Sequence, residues 1–407
     1  MAKRKTDGFG NYIADVTDLD IILGSLPPIR GTWYFVDPTS GSAGNNGLSP
    51  GGAFSSVKDA YEACADGAGD GIVLMSAGTT SAATTSYLKK TLTWAKSGIT
   101  VIGLAAPTRM YGRARIANVE VTTPANTTIA HAAHAITRET GSFLADGWEV
   151  GMTGVTVDSG SNNGASFTIE AVSALSMTIT ETFNVQAKAS VGSCVMTSYV
   201  DDLVAVSGSN NLFENVHIGN WSSHAKSLGG LKVSGNRNAF IGCHIVGAGH
   251  ATPGAVTTAR SLLIDGAQET TFERCTIGTD TVLKAAANAE IVFDGGAWRT
   301  AFYDCDVICY SATAGKGAIK SMDATALSGI HKFTRCRFSM WNENGMTSDD
   351  DGDSLFIGTA PTSGAIWMDA SSELGWAAWD ATAGNDRVYT SNGAVHAATG
   401  GIALLTS

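Results

Sequence analysis

Residues Ala239 to Ile245 read AFIGCHI, a cysteine and a histidine side by side in an apolar run. Related runs are FENVHI from Phe213, FERCTI from Phe272, FYDCDV from Phe302 and FTRCRF from Phe333. Aligned on phenylalanine with Phe240, the five are spaced 27, 32, 30 and 31 residues apart. Four have an upstream apolar partner closing on glycine: VAVSG to Gly208, LKVSG to Gly235, LLIDG to Gly266 and IVFDG to Gly295. A period of about 30 residues with two short strands per repeat is the signature of a solenoid. Each repeat buries its apolar side only against its neighbours.

Strand alternation assigns directions within the repeat. The phenylalanine points inward. Position three turns a corner and is Asn215, Gly242, Arg274, Asp304 or Arg335; such a corner needs left-handed backbone, which strains an arginine slightly. Position four points in (Val216, Cys243, Cys275, Cys305, Cys336), as does position six (Ile218, Ile245, Ile277, Val307, Phe338). Position five points out: His217, His244, Thr276, Asp306 and Arg337. In a parallel β-helix, equivalent residues stack about 4.8 Å apart. The reading predicts internal ladders of Phe, Val/Cys and Ile. It also predicts a solvent-facing polar ladder in which His217 lies beside His244, and Asp306 beside Arg337. An exposed ion pair of that kind contributes about 0–1 kcal/mol.

Composition agrees. Of 407 residues 44% are hydrophobic, and only 15% are charged, with 48 Gly and 8 Pro. Runs such as VTVDSGSNNGASFTI favour strands and tight turns. The net charge of −11 argues against nucleic acid as a partner, and the only basic cluster is AKRK from Ala2 to Lys5. No run of 18 apolar residues predicts a membrane span. The basic start MAKRKTDGFGNYIAD has no apolar core of a secretion signal, so reduced cytoplasmic thiols are expected for the seven cysteines.

Along the chain, residues 1–31 read as an arm carrying Ile21, Ile22 and Leu23 before a Pro27-Pro28 break. Then come a strand at Trp33–Val36, a turn-rich loop, a helix and strands at Gly71–Met75 and Gly98–Ala105. Val57, Ala60, Tyr61 and Cys64 share one helix face; Ser56 with Asp59 forms a capping box, and Gly67 is expected to end the helix. That helix is expected to plug the open end of the stack. The opening, with Asp37, Gly41, Asn46, Gly47, Leu48, Phe54, Gly69, Asp70, Ile72 and Gly78, resembles the start of right-handed parallel β-helix proteins of the pectate-lyase-like superfamily. From Ala135 to Thr182 the alternating pairs Val155/Val157, Phe167/Ile169 and Met177/Ile179 imply a small antiparallel unit. This stretch is similar to a small β module of bacteriophage virion proteins. Residues 126–198 are therefore read as an insertion.

His331, Cys336, Cys305 and Cys309 are metal-ligand types, but no C-x₂-C pair exists, and a ladder lays thiols along a line instead of around a metal. Stacking would permit a Cys275–Cys305 disulfide by distance; the thiols are expected to be free. Cys243 and His244 are strand neighbours pointing to opposite faces, so they cannot act as a nucleophile–base pair. Asp201 with Asp202, Asp304 with Asp306, and Glu343 could serve carbohydrate chemistry, but none lies in a catalytic motif. Asp349, Asp351 and Asp353 resemble the start of a calcium loop, yet Gly352 falls at the wrong place and no closing glutamate follows. The tail 353–407, with Trp367, Trp376 and Trp379, departs from the repeat and reads as a cap or subunit contact. Catalytic, cofactor and metal residues are accordingly expected to be none.

These readings give an all-β, right-handed parallel β-helix with an N-terminal helical cap and an inserted small antiparallel β domain. The expected units are arm 1–31, β-helix start 32–125, insert 126–198, coils 199–352 and tail 353–407. The resemblances imply a bacteriophage virion structural protein, assembled in the host cytoplasm. The first expectation is a non-enzymatic, head-attached capsid decoration protein, trimeric, with capsid or tail proteins as partners and residues 1–31 as anchor. The alternative is a tailspike or tail fibre protein that binds or degrades host surface polysaccharide, as a lyase or hydrolase if it is an enzyme.

Overall fold

A computed structural model describes residues 26, 28–75, 84–104, 113–124, 127–157, 160–187, 193–311, 317–342, 354–359, 361–369, 373–374, 388–390 and 393–394. Their strands build a parallel β-helix of about eight turns with three sheets. Sheet 1 carries the phenylalanines, sheet 2 follows the corner residue, and sheet 3 carries the upstream partners.

The register matches the sequence alignment. Phe213, Phe240, Phe272, Phe302 and Phe333 are successive partners on sheet 1. All five are fully buried, and neighbouring rings stack at 4.4–5.0 Å with planes within 1–9°. Cys243, Cys275, Cys305 and Cys336 are buried and free. Each also spends its S–H locally: Cys243 Sγ donates to the Phe213 carbonyl at 3.3 Å. Asn215, Gly242, Arg274, Asp304 and Arg335 have φ of 50–59°, the left-handed corner read from the sequence. A second left-handed set, Asn210, Arg237, Glu269 and Arg299 (φ 54–57°), stands two residues before each sheet-1 strand and was not read from the sequence. The four sheet-1 strands at Leu212–Glu214, Ala239–Ile241, Thr271–Glu273 and Ala301–Tyr303 are thus bent sharply at both ends.

Helix α1 (Val57–Ala63) has the expected cap: Ser56 Oγ accepts from Asp59 N–H at 3.2 Å and donates to the Asp59 carboxylate at 2.8 Å. The helix ends at Ala63, earlier than Gly67, because Cys64 takes extended backbone. Val57, Ala60 and Tyr61 join the main core, and the Tyr61 ring packs tilted against Trp94 at 4.5 Å, which meets Phe213 edge-on at 5.0 Å. The helix therefore closes the first turn, where a parallel stack would otherwise expose a sheet end.

Between Asn118 of sheet 2 and Asp202 of sheet 3, six antiparallel strands from Thr127 to Tyr199 close into a barrel with its own core around Trp148, Phe167 and Ile169. Gly154 faces Phe167 in this core, so Val155 and Val157 lie on the opposite face of their strand: Val155 is buried outside the barrel core and Val157 is 57% exposed, which corrects the expected Val155/Val157 core pair. The barrel occupies the corner at which other turns carry loops 220–228, 247–259 and 279–288.

Two expectations need correction. His217 and His244 do point away from the main core, but both are fully buried, because these loops fold over the outer face of sheet 2. The predicted exposed ladder survives only further along, where Arg337 pairs with Asp306 at 2.9 Å. Part of the tail also continues the stack: Ser354–Gly358, Ala365–Met368 and Glu373–Leu374 pair in parallel with the preceding turn on all three sheets. Trp376 and Trp379 lie outside the described residues, as do Glu343, Asp349, Asp351 and Asp353.

Candidate functional site

A cleft of about 650 Å³ lies between helix α1, the sheet strands Thr85–Leu88 and Leu92–Trp94, and the barrel turn Glu149–Gly151. Its floor is the run Tyr87-Leu88-Lys89-Lys90-Thr91-Leu92-Thr93. Leu88 and Leu92 turn into the core, which sends Tyr87, the lysines and Thr93 toward the cleft. Lysines tie the two walls together: Lys89 Nζ donates to the Gly147 carbonyl at 3.0 Å and to Glu149 at 2.6 Å, and Lys90 Nζ donates to the Val150 carbonyl at 2.7 Å. On the helix side Lys58 pairs with Glu62 at 2.7 Å. Burial pulls the Lys58 ammonium down, but the Glu62 hydrogen bond and charge outweigh it and hold its pKa above the ordinary value.

The lining has three cations (Lys58, Lys89, Lys90) and three anions (Asp59, Glu62, Glu149), so its formal charge cancels. Six more side chains carry hydroxyls. Tyr87 is 37% exposed and offers an aromatic face. Such a lining provides hydrogen-bond donors and acceptors without a net field. It suits a neutral, hydroxyl-rich ligand better than a polyanion or a lipid.

The residues singled out from the sequence fall elsewhere and are not brought together. Arg260 grips Asp202 through both carboxylate oxygens at 2.7 and 2.8 Å and reaches Asp201 at 3.5 Å. Burial, then the neighbouring Asp202, raises the Asp201 pKa against the pull of Arg260 and Lys232. Asp304 is held by Arg335 through two 2.7 Å hydrogen bonds, which lowers its pKa, and Asp306 is held by Arg337. Each carboxylate is matched to an arginine, not paired across a reaction gap. His331 is buried on sheet 1, with Nε2 donating to the Ala297 carbonyl at 3.1 Å; burial lowers its pKa to about 4. Burial pushes Cys64 up to about 12, and raises Cys243, Cys275 and Cys305 as well. Among the described residues no three His, Cys, Asp or Glu side chains converge as a metal site.

The cleft was not anticipated. Its signal in the sequence is YLKKTLT, Tyr87 to Thr93, two lysines between apolar anchors, but only the fold brings the barrel over it.

The chain is a parallel β-helix protein. Neither a protein-family profile nor a curated protein sequence matches it. Solved structures with similar architecture include a pectin methylesterase variant in complex with a hexasaccharide, at 12% identity over 90% of this chain and 89% of that one, TM-score 0.44. Others are the tailspike of Pseudomonas phage LKA1 (10% identity, 78% and 73% coverage, TM-score 0.18) and the tailspike of Acinetobacter baumannii bacteriophage AP22 in complex with capsular saccharide (8% identity, 74% and 64%, TM-score 0.19).

Proposed function

We propose that the protein is a tail-associated bacteriophage virion component that binds a neutral polysaccharide of the host surface. The cleft carries this reading: its charge-balanced, hydroxyl-rich lining and the exposed ring of Tyr87 fit a sugar chain. It favours the alternative drawn from the sequence over capsid decoration, since a decoration protein has no need of a ligand-sized polar cleft. In this reading the protein works as a homotrimer with tail proteins as neighbours. Sugar C–H faces lie on Tyr87, and the lysine and carboxylate rim takes the hydroxyls.

The test is calorimetric titration with neutral and acidic capsular oligosaccharides. Neutral oligosaccharides should bind, and Tyr87→Ala should weaken binding about 3- to 10-fold, the equivalent of one aromatic contact. Absence of binding to any neutral oligosaccharide, or equal binding by the variant, refutes the proposal.

A further inference from the structure

His217 and His244 stack on adjacent turns of sheet 2, both fully buried. Their Nδ1 atoms are 3.0 Å apart. His244 Nε2 lies 3.0 Å from the Gly278 carbonyl one turn further on. At the other end Trp221 Nε1 donates to His217 Nε2 at 3.3 Å. The partners fix the protons. A carbonyl only accepts, so His244 carries its hydrogen on Nε2 and leaves Nδ1 as an acceptor. Indole only donates, so His217 Nε2 is bare and its hydrogen sits on Nδ1, aimed at His244. The result is one directed chain, Trp221 to His217 to His244 to Gly278, spanning three turns with both rings neutral.

The first two links fail on protonation. A hydrogen on His217 Nε2 meets the indole N–H head on, and one on His244 Nδ1 meets the N–H of His217. The charged groups facing the pair also oppose protonation. Arg115, on the preceding strand of sheet 2, lies 5.9 Å over the Trp221 ring, and Arg113 donates to the carbonyl of Gly242, two residues before His244. At the far end Glu290 packs against Gly278, but Lys284 neutralises it at 2.5 Å. His250 follows Gly249 in the loop over the indole and is exposed. Burial first, then His244, Arg115 and Arg113 hold the His217 pKa well below the ordinary imidazole value.

The seat of Trp221 is close-fitting. A Cβ on Gly219 would lie 2.3 Å from both His217 Nε2 and Trp221 Nε1, and one on Gly249 would lie 2.6 Å from the indole. The loop anchored by Trp221 also grips the root of the barrel. Ser223 N–H donates to Glu120 at 2.6 Å, His224 stacks on Tyr199 at 5.1 Å, and Lys226 reaches Ser166.

We infer that Trp221, His217 and His244 form an acid-released clasp that holds loop 220–228, and through it the barrel root, against the β-helix. The sign follows from linkage. The closed clasp favours neutral imidazole and the open loop allows an ordinary pKa near 6.5. Clasp stability is therefore complete above about pH 6.5 and falls as pH drops, with loop opening rising about tenfold per pH unit for each histidine that titrates. The clasp stands independently of the saccharide reading.

The test is amide hydrogen exchange of residues 220–228 between pH 7 and 4.5, corrected for intrinsic rates. Glutamine places an acceptor and a donor about as far apart as the two ring nitrogens do and does not titrate. Wild-type exchange should rise at least tenfold on acidification while the sheet-1 strands stay protected. H217Q/H244Q should stay flat. Unchanged wild-type exchange, or an equal rise in the double variant, overturns the clasp. A readout that needs no variant is nitrogen NMR of histidine-labelled wild type at pH 7. It should find His217 protonated on Nδ1 and His244 on Nε2, and the opposite tautomers would overturn the chain.

Discussion

Phe272→Ala tests the physical basis of the stack. Phe272 is fully buried and stacks on Phe240 and Phe302, both at 4.9 Å, with planes within 9°. Truncation removes the ring from water-free surroundings and leaves a hole that neighbours on a parallel ladder cannot close, because their backbones are fixed by strand pairing. Core Phe→Ala changes cost about 3–5 kcal/mol, and the rigid ladder places this one toward the upper half. Two aromatic contacts of about 0.5–1.5 kcal/mol each are included in that loss. The adjacent Glu273 points outward and is about as close to the corner, so Glu273→Ala controls for local backbone effects. Urea unfolding followed by circular dichroism gives both values; the control should change by less than about 0.5 kcal/mol. If Phe272→Ala costs no more than its control, the phenylalanine ladder is not what holds the turns together.

Two further outcomes follow from buried titratable groups. Lys284 and Glu290 are 1% and 0% exposed, paired at 2.5 Å, and Ser261 Oγ donates to Glu290, so Lys284→Met should cost about 3–5 kcal/mol in urea unfolding; Lys284→Met with Glu290→Leu should recover most of it, and a single variant as stable as wild type would contradict the pairing. His331 titrates near 4 in the folded chain against an ordinary 6.5, so its contribution is complete above pH 6.5 and falls by roughly 3 kcal/mol as pH drops to 4; His331→Gln should unfold with a shallower pH dependence over that window, and an unchanged slope would refute the assignment.

The sequence by itself determined the coil. Period, side-chain direction and corner position are local properties, set by alternation along a strand and by the left-handed tolerance of Asn, Gly and Asp, and so the ladders from Phe213 to Phe333 were legible in one dimension. The capping helix was legible too, from Ser56, Asp59 and one apolar face. Tertiary structure decided what lies outside the coil. Alternation shows that His217 and His244 point away from the core, but not whether water or another loop meets them; loop 220–228 and Trp221 settle that. The adjacency in AFIGCHI separates Cys243 from His244, while packing of neighbouring turns joins His244 to His217. In the same way nothing within Tyr87 to Thr93 marks a cleft, and only the barrel 60 residues further along the chain makes one. Contacts between segments so far apart leave no periodic trace, because they depend on where an insert lands, not on how a strand repeats.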